Sequence, residues 1–425
     1  MKELRFLSLC LALALLGGCA GNGRSALESV SVPASTEEAW GIQVAPSSSP
    51  ATDPAPSSSP DPTPEPTPSP TPTPEPLPGS LRELVTDAVT IWVDGTALDG
   101  VLLGDTVLVK ADDLTAAWTW LQWQEAEEQA VFTLKTGETA ALACTRVDGR
   151  EYPLESYAGE GGVWFAGENT EYWLPVSWLS EGLGQKVLWD WDNYTAYVSA
   201  WMDTDTVPLD YHVPILMYHA VSDNMWGINE LFVSPSDMEQ QLQYLVDNGY
   251  DPIFFSDLPN LAEYDKPILL TFDDGYDDNY DYLFPLLQKY NVKATCFVIT
   301  GMLGDEHYMT AEQAREMSAS GLVDIQSHTV DHHELNTLGW DDQKYQISQS
   351  QMDIARITGK VPYVISYPNG SRDSNTLEIA PQYYAYGIDM NGGTWQIEGG
   401  IDNYKVDRIY ISRYTTLDEF AGKVS

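Results

Sequence analysis

The stretch that decides the fold is Ile268-Leu269-Leu270-Thr271-Phe272-Asp273-Asp274-Gly275, in which an apolar run leads into two acids and a glycine. A short apolar run that ends in a turn signal predicts a strand buried on both faces. Such strands form parallel sheets covered by helices, and α/β barrels carry their active sites at the carboxyl ends of the strands. The sequence therefore predicts that Asp273 and Asp274 lie at a strand end suited to catalysis.

Two adjacent carboxylates repel each other unless a cation or a proton relieves the repulsion. We therefore expect one acid of the pair to bind a metal and the other to act as a base. The alternative is an ordinary acidic surface loop, because residues 276–281 contain further aspartates.

A second group of polar residues, Ser327-His328-Thr329-Val330-Asp331-His332, follows another apolar segment. His328 and His332 are four residues apart, a spacing that lets both imidazoles reach one ion while a carboxylate completes the ligand set. A histidine pair alone is often structural. Together with the strand-end acid pair, it predicts a metal site.

From His212 onward, apolar strands alternate with longer helical patterns, and this alternation predicts an α/β domain with a largely parallel sheet or barrel. We predict strands at 215–218, 268–272, 294–299, 323–327, 364–367 and 408–411, and helices at 237–248, 280–290, 311–320 and 341–357.

The motif TFDDG at 271–275, followed by SHTVDH at 327–332, resembles the signature of polysaccharide deacetylases of the NodB-homology type, also called carbohydrate esterase family four. The resemblance covers about Pro214 to Val424. It implies a distorted (β/α)7 barrel with Asp273 as the catalytic base. It also implies that Asp274, His328 and His332 bind a divalent metal, usually Zn2+, with Co2+ or Ni2+ as alternatives. The implied reaction is hydrolysis of acetyl groups from N-acetylglucosamine units of a surface polysaccharide.

Two departures from the family pattern affect the catalytic assignments. The family often supplies its proton donor from a late Leu-x-His motif, but no histidine follows His333. The opening PILMYH at 214–219 resembles a branch that includes poly-N-acetylglucosamine deacetylases, which makes His219 the candidate acid. The alternative for His219 is a structural role at a strand end.

The second departure is Ser366-Tyr367-Pro368-Asn369-Gly370, which replaces the usual Arg-x-Pro-Tyr motif and matches the YPxG form of the same branch. The likeness implies substrate contacts from Tyr367, Pro368 and Asn369. It also implies that another arginine orients the base, with Arg408 as the first candidate and Arg413 as the second. Gln326 and His333 are left out of the metal set.

Residues 80–205 predict a small β-rich α+β domain, with short strands at 89–93, 107–109, 163–165, 187–189 and 196–199 and a weak internal repeat. The pattern resembles the N-terminal stalk domain of copper amine oxidases. No histidine occurs in this region, so copper would lack its usual imidazole ligands. The many tryptophans here suit core packing or, alternatively, a glycan-binding surface; they are Trp92, Trp118, Trp120, Trp123, Trp164, Trp173, Trp178, Trp189, Trp191 and Trp201.

The N-terminal residues predict export. Residues 1–18 read as a signal peptide, and Leu16-Gly17-Gly18-Cys19 resembles a bacterial lipobox in which Cys19 carries the lipid. An ordinary secretory signal is the alternative. Residues 19–79, rich in Pro, Ser and Thr, predict a disordered linker. We expect a protein anchored by lipid to the outer face of the cytoplasmic membrane and extending into the cell wall.

The formal net charge of −42 argues against nucleic acid as a partner, because such a surface repels phosphate backbones. The sequence leaves the glycan open, either peptidoglycan or an exopolysaccharide, and a deacetylase domain at 212–425 is compatible with both. An O-acetyl esterase of xylan-type chains is an alternative, since one metal site can cleave both bonds. A further alternative is a surface glycan-binding lipoprotein that has lost activity.

Overall fold

The computed structural model describes residues 80–425 apart from 86–87, 127, 148–160, 167–169, 202–203, 205–206, 209–210, 391–394 and 397–401, and apart from the side chains of residues 83, 84, 395 and 396. The predicted signal peptide, the lipidation site Cys19 and the linker up to residue 79 lie outside the described residues. The described residues belong to one compact unit. The domain boundaries drawn at 205 and 212 stay a prediction.

The first half of the described chain builds one ten-stranded sheet, in the order β4-β5-β6-β7-β8-β3-β2-β1-β10-β9. Its strands are β1 (Ala88–Val93), β2 (Thr96–Leu103), β3 (Thr106–Lys110), β4 (Gln122–Ala126), β5 (Gln129–Thr133), β6 (Thr139–Val147), β7 (Gly162–Ala166), β8 (Thr170–Pro175), β9 (Lys186–Asp190) and β10 (Thr195–Ser199). Its helices are α1 (Leu81–Leu84), α2 (Ala111–Ala117) and α3 (Val176–Glu181). Two strands, a short helix and two strands occur twice in this sheet, as β2-β3-α2-β4-β5 and as β7-β8-α3-β9-β10.

Most of the described tryptophans of this region pack into or against its core. Trp118 and Trp173 are almost fully buried, and several others lie against the apolar cluster as partly buried neighbours. Trp191 is the exception, with 63% of its surface exposed. Core packing is therefore the main role of these side chains, as a sheet with one apolar face requires.

The second half of the chain forms a parallel sheet in the order β20-β19-β18-β17-β16-β12-β22. The strands are β11 (His212–Val213), β12 (Ile215–Tyr218), β13 (Ala220–Val221), β14 (Phe232–Val233), β15 (Asp251–Pro252), β16 (Pro267–Phe272), β17 (Ala294–Val298), β18 (Val323–Ser327), β19 (Val364–Ser366), β20 (Tyr386–Ile388), β21 (Trp395–Gln396) and β22 (Ile409–Tyr410). A parallel bridge between Ile388 and Val406 links β20 to the chain entering β22. The curled parallel sheet fits the predicted distorted barrel.

Helices follow the strands and cover the barrel. They are α4 (Pro235–Asp247), α5 (Phe284–Tyr290), α6 (Ala311–Ala319), α7 (Trp340–Thr358), α8 (Ser374–Tyr383) and α9 (Leu417–Val424), and a π-helical segment, Asn279–Leu283, precedes α5. Capping side chains fix several starts: Ser234 accepts a hydrogen bond at the start of α4, and Thr310 and Asp373 form capping boxes at α6 and α8. Among the described residues, no helix has the length and apolar character needed to cross a membrane.

The end of α7 contacts the ten-stranded sheet. The Arg356 guanidinium donates two hydrogen bonds to the Asp190 carboxylate, at 2.7 and 2.9 Å. Nearby, the Gly95 N–H donates to the Gly359 carbonyl at 3.0 Å. Because α7 leads into β19, these contacts lie at the amino ends of the barrel strands. The carboxyl ends of the strands therefore face away from this junction.

Candidate active site

The acid pair lies where the chain leaves the barrel in a tight left-handed turn. All six residues of β16 are buried, so the strand is fixed and delivers Asp273 directly at its carboxyl end. Asp274 and Gly275 then adopt φ values of 77° and 78°. A Cβ atom at Gly275 would stand 2.9 Å from the Val298 side chain, so glycine is required here both by conformation and by space. The turn places both carboxylates at the strand ends, as the sequence predicted.

The two histidines come from the end of β18. The His328 N–H donates to the Val298 carbonyl at 2.9 Å, which continues the sheet by one residue. Thr329 and His332 then take positive φ values of 69° and 56°, so the segment between the histidines is a tight turn. This turn brings the Nε2 atoms of His328 and His332 to 3.4 and 3.5 Å from Asp274 Oδ1.

The hydrogen bonding of His328 leaves one nitrogen free for a ligand. Its Nδ1 lies 2.8 Å from the Ser366 carbonyl oxygen, which can only accept, so Nδ1 carries the hydrogen. Nε2 is therefore the nitrogen that faces Asp274, and it can bind a metal once it carries no proton. A ring nitrogen oriented in this way by a backbone carbonyl is the arrangement found in protein metal sites.

Asp274, His328 and His332 fit a divalent metal. One ligand atom from each lies within 4.8 Å of the others. Ligand atoms bonded at ~2.1 Å to a tetrahedral ion are ~3.4 Å apart. The two separations from Asp274 Oδ1, 3.4 and 3.5 Å, match this value, and the donor set of two imidazoles and one carboxylate suits zinc-type ions.

The base candidate Asp273 is paired with Arg408, which reaches it from a position 135 residues away along the chain. The guanidinium donates from Nη1 to Oδ1 at 2.7 Å and from Nη2 to Oδ2 at 2.6 Å. Its other N–H groups donate to Thr271 Oγ1, Ser366 Oγ and the Asp389 carbonyl, at 3.0, 3.0 and 3.1 Å. All five N–H donors of this fully buried side chain are therefore used.

Charge pairing sets the protonation states of the two acids. Burial alone would raise the pKa of Asp273, but the Arg408 guanidinium outweighs it and lowers that pKa below its ordinary value. Burial also opposes ionisation of Asp274, while its hydrogen bond with His328 and the nearby imidazoles lower its pKa overall. Both carboxylates are therefore ionised at neutral pH.

The pKa values of His328 and His332 shift in opposite directions. Burial lowers the pKa of His332 to about 4, and the neighbouring His328 adds to this effect. For His328, burial is outweighed by the hydrogen bond to Asp274, so its pKa is raised. His332 is thus neutral at pH 7, as a ligand must be.

These residues line one cavity of about 400 Å³. The lining residues are Met217, His219, Ile228, Glu230, Leu231, Asp273, Asp274, Tyr276, His328, His332, Asn369, Met390 and Tyr410. The lining combines ionisable side chains with apolar and aromatic ones. Such a mixture of a few polar groups with apolar and aromatic side chains is typical of small-molecule sites.

His219 lies in this cavity, at the carboxyl end of β12. Its carbonyl oxygen accepts a hydrogen bond from Asn279 Nδ2 at 3.0 Å, and its Nδ1 atom is buried with no hydrogen-bond partner among the described residues. Burial lowers its pKa even though Asp273 and Asp274 act to raise it. The imidazole is therefore neutral at neutral pH and can give up a proton only after receiving one.

The predicted substrate contacts are only partly supported by the structure. The Tyr367 side chain is fully buried in an apolar cluster, and Pro368 is buried as well. Neither lines the cavity, so the substrate-binding role predicted for these two side chains is corrected. Asn369 does line the cavity, with a positive φ of 54°. The orienting arginine is Arg408 rather than Arg413, whose guanidinium contacts Met225.

Several residues that line the cavity do not belong to any motif recognised in the sequence. Tyr276, Glu230, Met390 and Tyr410 line the cavity, but they come from separate loops and strand ends. Only Tyr276 is near a recognisable motif, directly after the TFDDG turn. Gln326, left out of the ligand set, is structural: its Oε1 accepts the N–H groups of Tyr363 and Val364 at 2.9 and 2.8 Å.

Comparison with known proteins assigns this site to a class. Residues 261–386 match the family described as "Polysaccharide deacetylase". The chain is 34% identical over 220 residues to "Putative polysaccharide deacetylase YxkH" of Bacillus subtilis (strain 168), covering 50% of this chain and 75% of that one. The protein therefore belongs to the polysaccharide deacetylase family, whose members are hydrolases acting on amides.

More distant relatives are named for one polymer. The chain is 25% identical over 208 residues to a poly-beta-1,6-N-acetyl-D-glucosamine N-deacetylase of Staphylococcus aureus (strain MRSA252), covering 44% of this chain and 69% of that one. It is 24% identical over 260 residues to the enzyme of that name from Escherichia coli (strain K12), covering 49% of this chain but only 38% of the relative.

Solved structures that are similar to this chain include the Streptococcus pyogenes deacetylase PplD in complex with acetate. The TM-score is 0.47 and the identity 28%, over 51% of this chain and 99% of that one. A polysaccharide deacetylase from Bacillus cereus, BC0361, matches with a TM-score of 0.49 and 22% identity, over 72% of this chain and 99% of that chain.

Proposed function

We propose that the protein removes acetyl groups from N-acetylglucosamine units of a cell-surface polysaccharide, in a hydrolysis that depends on a divalent metal. The observation that carries the proposal is the convergence of Asp273, Asp274, His328 and His332 in one cavity, with Asp274 Oδ1 3.4 and 3.5 Å from the two imidazole nitrogens. The names of the more distant relatives support an N-acetylglucosamine polymer as the substrate.

The chain's own residues have distinct tasks in this reaction. Asp274, His328 and His332 hold the metal. When bound there, a divalent ion polarises the acetamide carbonyl and lowers the pKa of water. Asp273 takes a proton from the attacking water, and Arg408 keeps that carboxylate ionised and fixed.

The departing amine must receive a proton before it leaves. His219 is the proposed donor, because its imidazole lines the same cavity as Asp273. Because its lowered pKa leaves it neutral, His219 must first receive the proton that Asp273 takes from the water, and it then delivers this proton to the amine. Substrate orientation is assigned to Asn369, with Met390 and Tyr410 as further walls of the cavity.

The location of the protein is part of the proposal. A lipid on Cys19 would hold the chain at the outer face of the membrane, with the segment up to residue 79 as a tether into the cell wall. The substrate would then be an acetylated surface glycan rather than a soluble metabolite.

The test is acetate release by the fragment from Ser80 onward. Three substrates separate the candidates: β-1,6-linked N-acetylglucosamine oligomers, purified peptidoglycan and O-acetylated xylan. We expect release from an N-acetylglucosamine substrate that a chelator stops and that added zinc or cobalt restores. Release from acetyl-xylan alone would replace the amidase by an esterase. No release from any of the three, by a chain that binds metal, would contradict the proposal.

A further inference from the structure

Ser366 lies at the carboxyl end of β19, between the two halves of the site. Its backbone carbonyl accepts the hydrogen bond from His328 Nδ1 at 2.8 Å. Its side-chain Oγ accepts a hydrogen bond from Arg408 Nη2 at 3.0 Å. The same nitrogen of Arg408 donates to Asp273 Oδ2 at 2.6 Å. One serine therefore touches both the metal-ligand side and the base side of the centre.

We propose that Ser366 is a positioning residue that fixes the catalytic base relative to the metal ligands, its carbonyl orienting His328 and its hydroxyl orienting the Arg408–Asp273 pair. This inference rests on the proposed function, because it assigns Ser366 a task in that reaction. Ser366 belongs to the SYPNG segment, but it was not among the residues of that segment predicted to contact the substrate.

The Ser366 hydroxyl is important to Arg408 because this guanidinium has no access to water. Arg408, Ser366 and Thr271 are each 0% exposed, and Asp273 is 3% exposed. Every N–H of the guanidinium has one acceptor, so removal of the serine hydroxyl leaves one N–H without its present acceptor. A buried N–H left without an acceptor costs the folded state stability. The guanidinium would relieve that cost by shifting, and Asp273 would shift with it.

The carbonyl half of the coupling does not depend on the side chain. Ser366 pairs in parallel register with Ile388, and the next residue, Tyr367, donates its N–H to the Ile388 carbonyl at 3.0 Å. The strand therefore holds the Ser366 carbonyl in place whatever the side chain is. Removing only the hydroxyl should leave His328 oriented and should disturb the base alone.

Ser366→Ala tests this separation of roles. We expect metal affinity, measured by titrating the metal-stripped chain with Co2+, to stay at the wild-type value. We expect kcat for acetate release to fall ~10- to 100-fold with little change in KM, as for other residues that orient a catalytic group. Ser366→Thr keeps a hydroxyl and should recover much of the lost kcat.

A second variant guards against a local folding effect at residue 366. Thr271→Val removes the other hydroxyl acceptor of Arg408 from a different strand, and it should likewise lower kcat and leave metal affinity unchanged. Ser318→Ala is the matched control, because Ser318 is also buried but its hydroxyl has no hydrogen-bond partner among the described residues. It should keep the wild-type kcat.

The outcomes are distinguishable from a failure of the proposed function. A wild-type chain that releases no acetate would overturn that function and this inference with it. An active wild type whose Ser366→Ala and Thr271→Val variants both keep full kcat would overturn only the inference. Loss of metal affinity in Ser366→Ala would overturn it too, because the hydroxyl would then support the ligand set rather than the base.

Discussion

Asp273 and Asp274 are neighbours in the chain, yet each faces a different set of partners. Both oxygens of Asp273 accept from Arg408, whereas Asp274 Oδ1 faces two imidazole nitrogens. The Arg408 charge lowers the pKa of Asp273, and the hydrogen bond with His328 lowers the pKa of Asp274, so neither acid needs a shared proton to relieve their repulsion. At the scale of single residues, Asp273 is therefore a base held in place by a fixed cation, whereas Asp274 is a carboxylate that can bind metal.

His219 gives a prediction at the same scale. Cleavage of an amide needs a proton on the leaving nitrogen, whereas an activated ester with a good leaving group does not. We expect His219→Ala to slow release of acetate from an N-acetylglucosamine oligomer by ~10²-fold or more. Its effect on hydrolysis of an aryl acetate should be far smaller.

The control for this experiment is His212→Ala, which removes an exposed histidine on β11. It should leave both rates unchanged. Equal slowing of the amide and the ester by His219→Ala would remove His219 from the role of proton donor and would leave it a structural residue.

At the scale of elements, the π-helical segment Asn279–Leu283 and the residue before it hold the loop that carries His219. Asp278 Oδ1 accepts from the Val221 N–H at 3.0 Å and from Asn279 Nδ2 at 2.9 Å. The same amide group of Asn279 donates to the His219 carbonyl. A buried carboxyl thus anchors β13 and the end of β12 beside the site.

This anchor predicts a pH effect on stability. Burial raises the pKa of Asp278 from 3.8 to about 6. The folded state therefore binds the proton more tightly than the unfolded chain does, and this contribution to stability is present below about pH 4 and lost as the pH rises through about 6. Ionisation of the buried carboxyl costs the folded state up to ~3 kcal/mol.

Asp278→Asn should remove this penalty, because an uncharged amide oxygen can accept the same two hydrogen bonds. Urea unfolding at pH 5 and at pH 8 would show the wild type losing stability relative to the variant at the higher pH. Asp281→Asn, at an exposed position of the same segment, is the control and should follow the wild type. A constant difference between Asp278→Asn and wild type at both pH values would refute the assignment.

The sequence predicted those features that local chemistry determines. The buried run before Asp273, the Gly275 turn and the two histidines after β18 lie where the sequence predicted them. The alternation of strands and helices was also correct from β12 to α7, and β22 lies within the segment predicted at 408–411. Periodicity and turn residues fix these features without reference to distant parts of the chain.

Features that depend on contacts between residues far apart in the sequence could not be predicted. The Tyr367 ring was expected at the substrate, but it fills the interior beside α8, an element that the sequence did not indicate. The coupling through Ser366 depends on the positions of β18, β19 and β22 relative to one another, which no local pattern encodes. Arg408 was predicted only because a family resemblance supplied a late arginine.

At the scale of the whole molecule, the ten-stranded sheet and the barrel belong to one compact unit. The contacts of Asp190 with Arg356 and of Gly95 with Gly359 lie at the amino ends of the barrel strands. The catalytic residues lie at the carboxyl ends. The cavity therefore opens away from the sheet, and experiments on the site should use the chain from Ser80 onward rather than an isolated barrel.

The central claim is that Asp273 acts as a base beside a metal held by Asp274, His328 and His332. The most direct measurement compares Asp273→Asn with Asp274→Ala, each titrated with Co2+ after metal removal and each assayed for acetate release. Both variants must first show wild-type circular dichroism. We predict that Asp273→Asn keeps the affinity for the metal and loses ~10²- to 10⁴-fold in kcat, whereas Asp274→Ala loses both. Full turnover by Asp273→Asn, or undiminished metal affinity in Asp274→Ala, would contradict the account.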